Sequence, residues 1–262
     1  ILDEFVIYNG ILFKDDPVQK EVAAKLERQE ITEFIIQRLT DQYKNIAISL
    51  APQFEDLRPF IWHKYGSKTQ SELFKLNLRY TSYLDISEFR LKNDYSEMQM
   101  FQNMARLRRR KIKDAITNGA TVTEDMDPCI LVNYYENTLR KQNINVSAKK
   151  ISRIKSLHLK FNDLNIGKTF YVVEKDGLVS YAISVCYDNK RGYALFASGN
   201  SDSNLTYPGT YAYYSVARYL SITNRLDVLD LEGINSPERS KFKMGFGGEI
   251  TKYFEIILGN QI

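Results

Sequence analysis

Between Lys168 and Ser201 the chain reads KTFYVVEKDGLVSYAISVCYDNKRGYALFASGNS, and this stretch constrains the fold more than any other. Its apolar and β-branched runs are broken at Asp176-Gly177 and again at Asn189–Gly192, which predicts three strands in succession joined by two tight turns. Strands joined this closely pair antiparallel and bury a face only if something covers it. The cover is predicted next: after Pro208-Gly209, the run YPGTYAYYSVARYLSITNR places Tyr213, Val216, Ala217 and Leu220 on one helical face. A buried strand, LDVLDLEG, and a final strand, KYFEIIL, follow. Helices and strands in this order predict a mixed α/β (α+β) fold.

The first half repeats the mixture on a smaller scale. Phe5–Phe13 reads as a strand pair around Asn9-Gly10, Asp16-Pro17 opens a helix, and Thr32–Tyr43 carries a second helical pattern. Asn45–Pro52 and Leu76–Ser87 read as strands. A helical stretch over 88–118 closes at Gly119. The expected organisation is an N-terminal partial lobe over 1–87, a connecting helix over 88–118 and a C-terminal lobe over 119–262.

Composition narrows the chemistry. The formal charge of +4 permits an anionic ligand such as a nucleotide, CoA or tRNA without demanding nucleic acid. Cys129 and Cys186 lie in unrelated contexts, and with only His63 and His158 beside them no zinc site is expected. Two isolated cysteines suit a reducing, cytoplasmic setting. No apolar run reaches the ~18 residues of a membrane span.

Candidate site residues concentrate near the C-terminus, in DLEGINSPERSKFKMGFGGEI from Asp230 to Ile250. Gly245, Gly247 and Gly248 would let a loop approach a ligand closely. Lys243, framed by Phe242 and Met244, has a packed stem and an ammonium that can be aimed at a developing oxyanion; the alternative is an ion pair with Asp230 or Glu249 that holds the loop. Asp230 and Glu232 fall on the same face of a strand. Either is a candidate general base, or a carboxylate accepting backbone N–H groups in the turn. Arg140 ends a polar helix, where a guanidinium can clamp a phosphate or carboxylate or simply answer the helix dipole. Trp62 reads as packing, and His63 is a candidate base. Arg106, Arg108, Arg109, Arg110 and Lys111 are expected to divide between packing and anion contact.

Several of these segments resemble the FemAB-like branch of the GNAT acyltransferase superfamily. RYTSYLDIS followed by RLRRRKIKDAITNGATV resembles its aromatic strand and basic helix. YYENTLRKQ resembles its helix bearing threonine and arginine, and YALFASGNS its fourth strand. DLEG, then FKMGFGGE, then KYFE, is the most specific element. LAPQFEDLRPFIWHKYG resembles the first-domain segment. The likeness covers nearly the whole chain. It implies two GNAT-like lobes built of mixed, mostly antiparallel sheets flanked by helices. It also implies that Lys243 meets the donor or its oxyanion and that Arg140 is the family's arginine. Where GNAT enzymes carry an Arg/Gln-x-x-Gly-x-Gly/Ala loop for the CoA pyrophosphate, this chain has NLTYPGTYAYY. Gly209 and Thr210 are left as the residues that would hold a donor at a helix N-terminus. Fem peptidyltransferases also lack the loop and take their acyl group from aminoacyl-tRNA, although no inserted coiled-coil hairpin is evident here.

The leading expectation is an N-acyltransferase using acyl-CoA as co-substrate and no metal. It would acylate a small-molecule amine: an amino sugar, nucleotide-sugar or peptidoglycan precursor of the cell envelope. Trp62, Arg140, Tyr193, Tyr213 and Lys243 are expected to line the site, with backbone N–H groups near Ala197 and Ser198 polarising the carbonyl. Two alternatives stand beside it: an aminoacyl-tRNA-dependent Fem-type peptidyltransferase, and a non-catalytic protein that binds a nucleotide-sugar or peptide.

Overall fold

The structure is a computed structural model that describes residues 8–259 except 15, 125, 128, 142, 145 and 146. In chain order the elements are α1 (Glu21–Gln42), β1 (Ile46–Ser49), α2 (Arg58–Trp62), β2 (Lys75–Asp85), α3 (Gln99–Asn103), α4 (Arg106–Thr117), β3 (Thr121–Thr123), α5 (Cys129–Lys141) and α6 (Ala148–Asp163). They continue with β4 (Gly167–Val173), β5 (Val179–Tyr187), β6 (Arg191–Gly199), α7 (Pro208–Ile222), β7 (Val228–Asp230), α8 (Pro237–Met244) and β8 (Glu249–Leu258). The class expected from the sequence is found: mixed α/β, with a mostly antiparallel sheet flanked by helices, consistent with a GNAT-like two-lobe fold.

The chain forms two compact units. One comprises the described residues up to Thr81 and those from Ile250 onward; the other is Ser82–Glu249. The boundaries between these units fall within β2 and at the start of β8. β8 belongs with the N-terminal residues because Ile256 and Leu258 share an antiparallel ladder with Ile48 and Ile46. These four side chains, with Ile36, Leu50 and Phe60, make that unit's core. Asn9-Gly10 is not a hairpin turn. Asn9 pairs across to Ser49 instead, its N–H donating to the Ser49 carbonyl (2.9 Å) and its side-chain oxygen accepting from the Ser49 N–H (2.7 Å). Residues 5–7 of the expected strand pair lie outside the described residues.

In the second unit the strands run in the order β2-β7-β6-β5-β4-β3. β4, β5 and β6 form the expected antiparallel meander, and β7 joins β6 in parallel. Strand alternation sorts the side chains by face. Phe170, Val172, Ile183 and Val185 pack with Ala212, Tyr213, Val216, Ala217 and Leu220 of α7 and with Ile112 and Ala115 of α4. On other strand positions, polar groups meet α5 and α6: Tyr134 donates to the Val179 carbonyl (2.6 Å), and the Thr138 and Ser198 hydroxyls lie 2.7 Å apart.

The stretch 88–118 is not one helix. It comprises the end of a 3-10 turn at Ser87–Arg90, another at Tyr95–Glu97, then α3 and α4. Asp94 caps the second turn by accepting the Ser96 N–H (2.8 Å), and extended backbone at Met98 and Met104 separates the pieces. α4 ends as predicted, with Gly119 at φ 75°.

The glycines after α8 serve packing. Gly247 sits at φ 80°, and a Cβ there would lie 2.8 Å from the Asn103 carbonyl oxygen. Gly247→Ala combines left-handed backbone with a clash against main chain. It is expected to cost about 2–4 kcal/mol, read as a fall in the urea unfolding midpoint. A change within error would show that the α3–α8 contact can relax.

Candidate functional site

β7 ends at Asp230, and the geometry there arises from one short-range hydrogen bond. The fully buried Asp230 carboxylate accepts the backbone N–H of Glu232 at 2.7 Å, turning the chain as an aspartate does when it caps its own backbone two residues on. Glu232 is thereby held at φ 57°, a left-handed conformation that a non-glycine residue enters at a cost of about 1–2 kcal/mol. The left-handed residue is Glu232, not the neighbouring Gly233, so Asp230 and Glu232 do not share a strand face. The turn directs the Glu232 side chain inward, where the residue is 5% exposed.

Lys243 answers it from α8. Read from sequence as a loop, residues 237–244 form a helix whose signal was present in Ser236-Pro237-Glu238: proline in the first turn and an acid beside it. Burial, with the Asp230 charge beside it, raises Glu232 well above the usual carboxylate value of 4.5, while Lys243 pulls the other way. Burial lowers Lys243 below the usual lysine range, and Glu232 opposes that shift. Arg239 adds to the lowering. Glu232 and Asp230 are the carboxylates whose charges act on Lys243. Tyr213 lies in the same field: burial, then Tyr181 and Glu232, push its phenol upward.

Aromatic rings hold this arrangement. Tyr213 meets Phe242 and Phe246 at 5.4 Å, and Phe242 meets Phe246 at 5.5 Å. Beneath Phe242, at 4.2 Å from its centroid, lies the guanidinium of Arg108. Arg108 donates to the Thr210 hydroxyl (3.0 Å), so this expected donor-binding group already has a protein partner. Gly209 carries the ring of Tyr181, 3.0 Å from where a Cβ would stand. Gly245 gives room to Arg108 itself, a Cβ there falling 2.9 Å from Nε. The C-terminal glycines therefore fit α8 to its protein neighbours. An inward Arg108 was readable: with Ile112 and Ala115 it forms the buried i, i+4, i+7 stripe of α4.

The remaining candidates are more dispersed. The β6–β7 ladder ends at Tyr193↔Asp230, whereas β6 runs on to Gly199. Ala197 and Ser198 lie in this extension beyond β7, with the Ser198 hydroxyl turned to Thr138 of α5. Tyr193 donates to Asp188 (2.9 Å), and burial raises its phenol. Arg140 is exposed and pairs with Glu136 at 2.6 Å along α5, as a surface arginine does. Trp62 and His63 belong to the first unit. Trp62 is 45% exposed under the Arg58 guanidinium (5.3 Å). His63 meets the Phe74 ring at 5.3 Å, and burial lowers its pKa. Among the described residues no cluster of three metal-ligating side chains occurs, and no helix is long and apolar enough to cross a membrane.

Comparisons with known proteins agree with this architecture at the level of fold. No protein-family model matches the chain, and no curated protein sequence matches it. Among solved structures, FemX is similar with a TM-score of 0.61 at 12% identity over 89% of this chain and 76% of that one. L-PGS from Bacillus licheniformis is similar with a TM-score of 0.55 at 8% identity, over 88% and 73%. The C-terminal domain of a protein described as a lysylphosphatidylglycerol synthetase, from Agrobacterium fabrum, gives a TM-score of 0.50 at 12% identity over 71% of this chain. The chain spans 62% of that domain, less than two thirds. At these identities the likeness to FemX and L-PGS is one of fold.

The Glu232–Lys243 pair makes a pH-dependent prediction. A carboxyl whose folded pKa is raised contributes stability that is complete below its unfolded value of 4.5 and is lost as pH rises through the folded value. Lys243→Met removes the attraction that limits the rise. The variant's stability relative to wild type should therefore fall as pH rises above the raised wild-type Glu232 value, by up to about 1.4 kcal/mol per unit. Adding Glu232→Gln should abolish that slope in urea titrations. An unchanged slope in the single variant would mean that Lys243 does not act on Glu232.

Proposed function

We propose that the second unit carries the active site of an N-acyltransferase, and the observation that carries this reading is the buried Glu232 carboxyl at the end of β7, with the half-buried Lys243 of α8 within its field. The amine nitrogen of the acceptor attacks the carbonyl carbon of an activated acyl group. The C=O π electrons move to oxygen, and Lys243 in its ammonium form stabilises the oxyanion. Glu232 in its carboxylate form accepts a proton from the acceptor nitrogen. Burial raises the proton affinity of Glu232 and so makes its carboxylate a stronger base than an exposed one. Collapse of the intermediate breaks the bond to the leaving oxygen or sulfur, and Glu232 returns the proton to it. Asp230 positions Glu232 through its N–H. The acceptor would be an amino sugar, a nucleotide-sugar or another amine-bearing cell-envelope precursor, with Tyr193, Ala197 and Ser198 beside the carbonyl.

The donor favoured by the geometry is an aminoacyl ester on tRNA. At the first turn of α7, where a pyrophosphate would be held, Gly209 is covered by Tyr181 and Thr210 is engaged by Arg108. The basic residues exposed on α4, Arg106, Arg110 and Lys113, suit a polyanion. Acyl-CoA, the donor first expected, is the second reading.

The test is transfer to an amine acceptor panel from aminoacyl-tRNA and from acyl-CoA. Lys243→Ala is expected to lower turnover about 10²–10³-fold while the protein remains folded, and Glu232→Gln to remove the ascending limb of the pH–rate profile. Wild-type turnover in Lys243→Ala would remove the lysine from the chemistry. Donor binding with no transfer to any acceptor would leave a binding protein.

A further inference from the structure

Arg108 is the buried charge for which neither the fold nor the proposed chemistry accounts. Its side chain emerges from the buried stripe of α4 and is 8% exposed. A guanidinium carries five N–H donors, yet among the described residues its one hydrogen-bond acceptor is the Thr210 hydroxyl, at 3.0 Å. Its other close neighbours are the rings of Phe242 (4.2 Å) and Phe246 (5.7 Å), which attract the cation but do not neutralise it. No described carboxylate forms an ion pair with it. Arginines this far withdrawn from water ordinarily have an anion as partner, and the remaining Arg108 nitrogens are not among the described buried atoms left without a partner, so they stay open to solvent and to an incoming anion.

We propose that Arg108 is the receptor for an anionic group, a carboxylate or a phosphate, on one of the two substrates. The guanidinium fork matches either group bidentately. The Phe242 ring fixes its plane, and the Thr210 bond fixes its rotation. Phe242 directly precedes Lys243, so an anion held by Arg108 anchors its substrate beside the proposed acyl-transfer centre. The proposal rests on the acyl-transfer reading only for the ligand's role; the anion site itself does not depend on catalysis.

The experiment measures thermal unfolding and isothermal titration of the whole chain with inorganic phosphate and, separately, with acetate, against chloride at equal ionic strength. Wild type should gain a saturable rise in Tm from at least one of the two anions, and the effective one identifies phosphate or carboxylate chemistry. Arg108→Met should fold with an unchanged or higher Tm in the absence of added anion, because it removes an unpaired buried charge, and should lose the response. Arg108→Lys, which retains charge without the fork, should respond at least tenfold more weakly. If Arg108→Met does not fold, the Arg108→Lys response decides. No response to either anion in wild type, or a full response in Arg108→Met or Arg108→Lys, would overturn the proposal and leave Arg108 as a clamp between α4 and α8. These readouts contain no turnover, so failure of the anion site and failure of the acyl-transfer reading remain separable.

Discussion

The hydrogen bond from the Glu232 N–H to the Asp230 carboxylate determines the geometry of the second unit's candidate site. It ends β7 after three residues paired with β6, while β6 continues to Gly199. It also commits Glu232 to left-handed backbone and so to an inward side chain. Without that bond, a residue other than glycine would have little reason to accept this conformation, and the carboxyl would not be presented to Lys243.

A second constraint follows from burial. Glu232, Asp230 and Arg108 are withdrawn from water within one unit and Lys243 is half-buried there, where charge interactions are stronger and unpaired charge is penalised more heavily. Glu232 rises, Lys243 falls, and each partly relieves the other. The aromatic group of Tyr213, Phe242 and Phe246 supports this arrangement by anchoring α8 to α7. Gly245 and Gly247 admit Arg108 and the Asn103 carbonyl to the same junction. The site and the packing that supports it are therefore not separable by substitution at these glycines.

Much of the fold was legible in the residues. Strand alternation and Asp-Gly turn chemistry report local backbone preference directly, so the β4–β6 meander and α7 appear where they were expected. The Asp-x-x-Gly end of β7 also marked the candidate site. The N-terminal turn at Asn9-Gly10 was misread because a turn dipeptide states what the backbone permits, and here Ser49 supplied a better set of hydrogen bonds. The stretch 88–118 was misread because helical periodicity continued across Asp94 and Met104, while the Asp94 cap and extended backbone at Met98 and Met104 broke it.

By itself, the sequence determined the class of fold, the succession of strands and helices in the second unit, and the grouping of Asp230, Glu232 and Lys243 near its C-terminus. These follow from interactions between residues close in the chain, which pattern and propensity encode. Only the tertiary structure decided that Lys243 of α8 comes within the field of Glu232, that Tyr181 covers Gly209, and that Arg108 meets Thr210 and Phe242. Each depends on a partner distant in sequence, Lys243 with Glu232 and Arg108 with Thr210 among them. The free energy of burying a charge is set by whichever groups the completed fold brings to it.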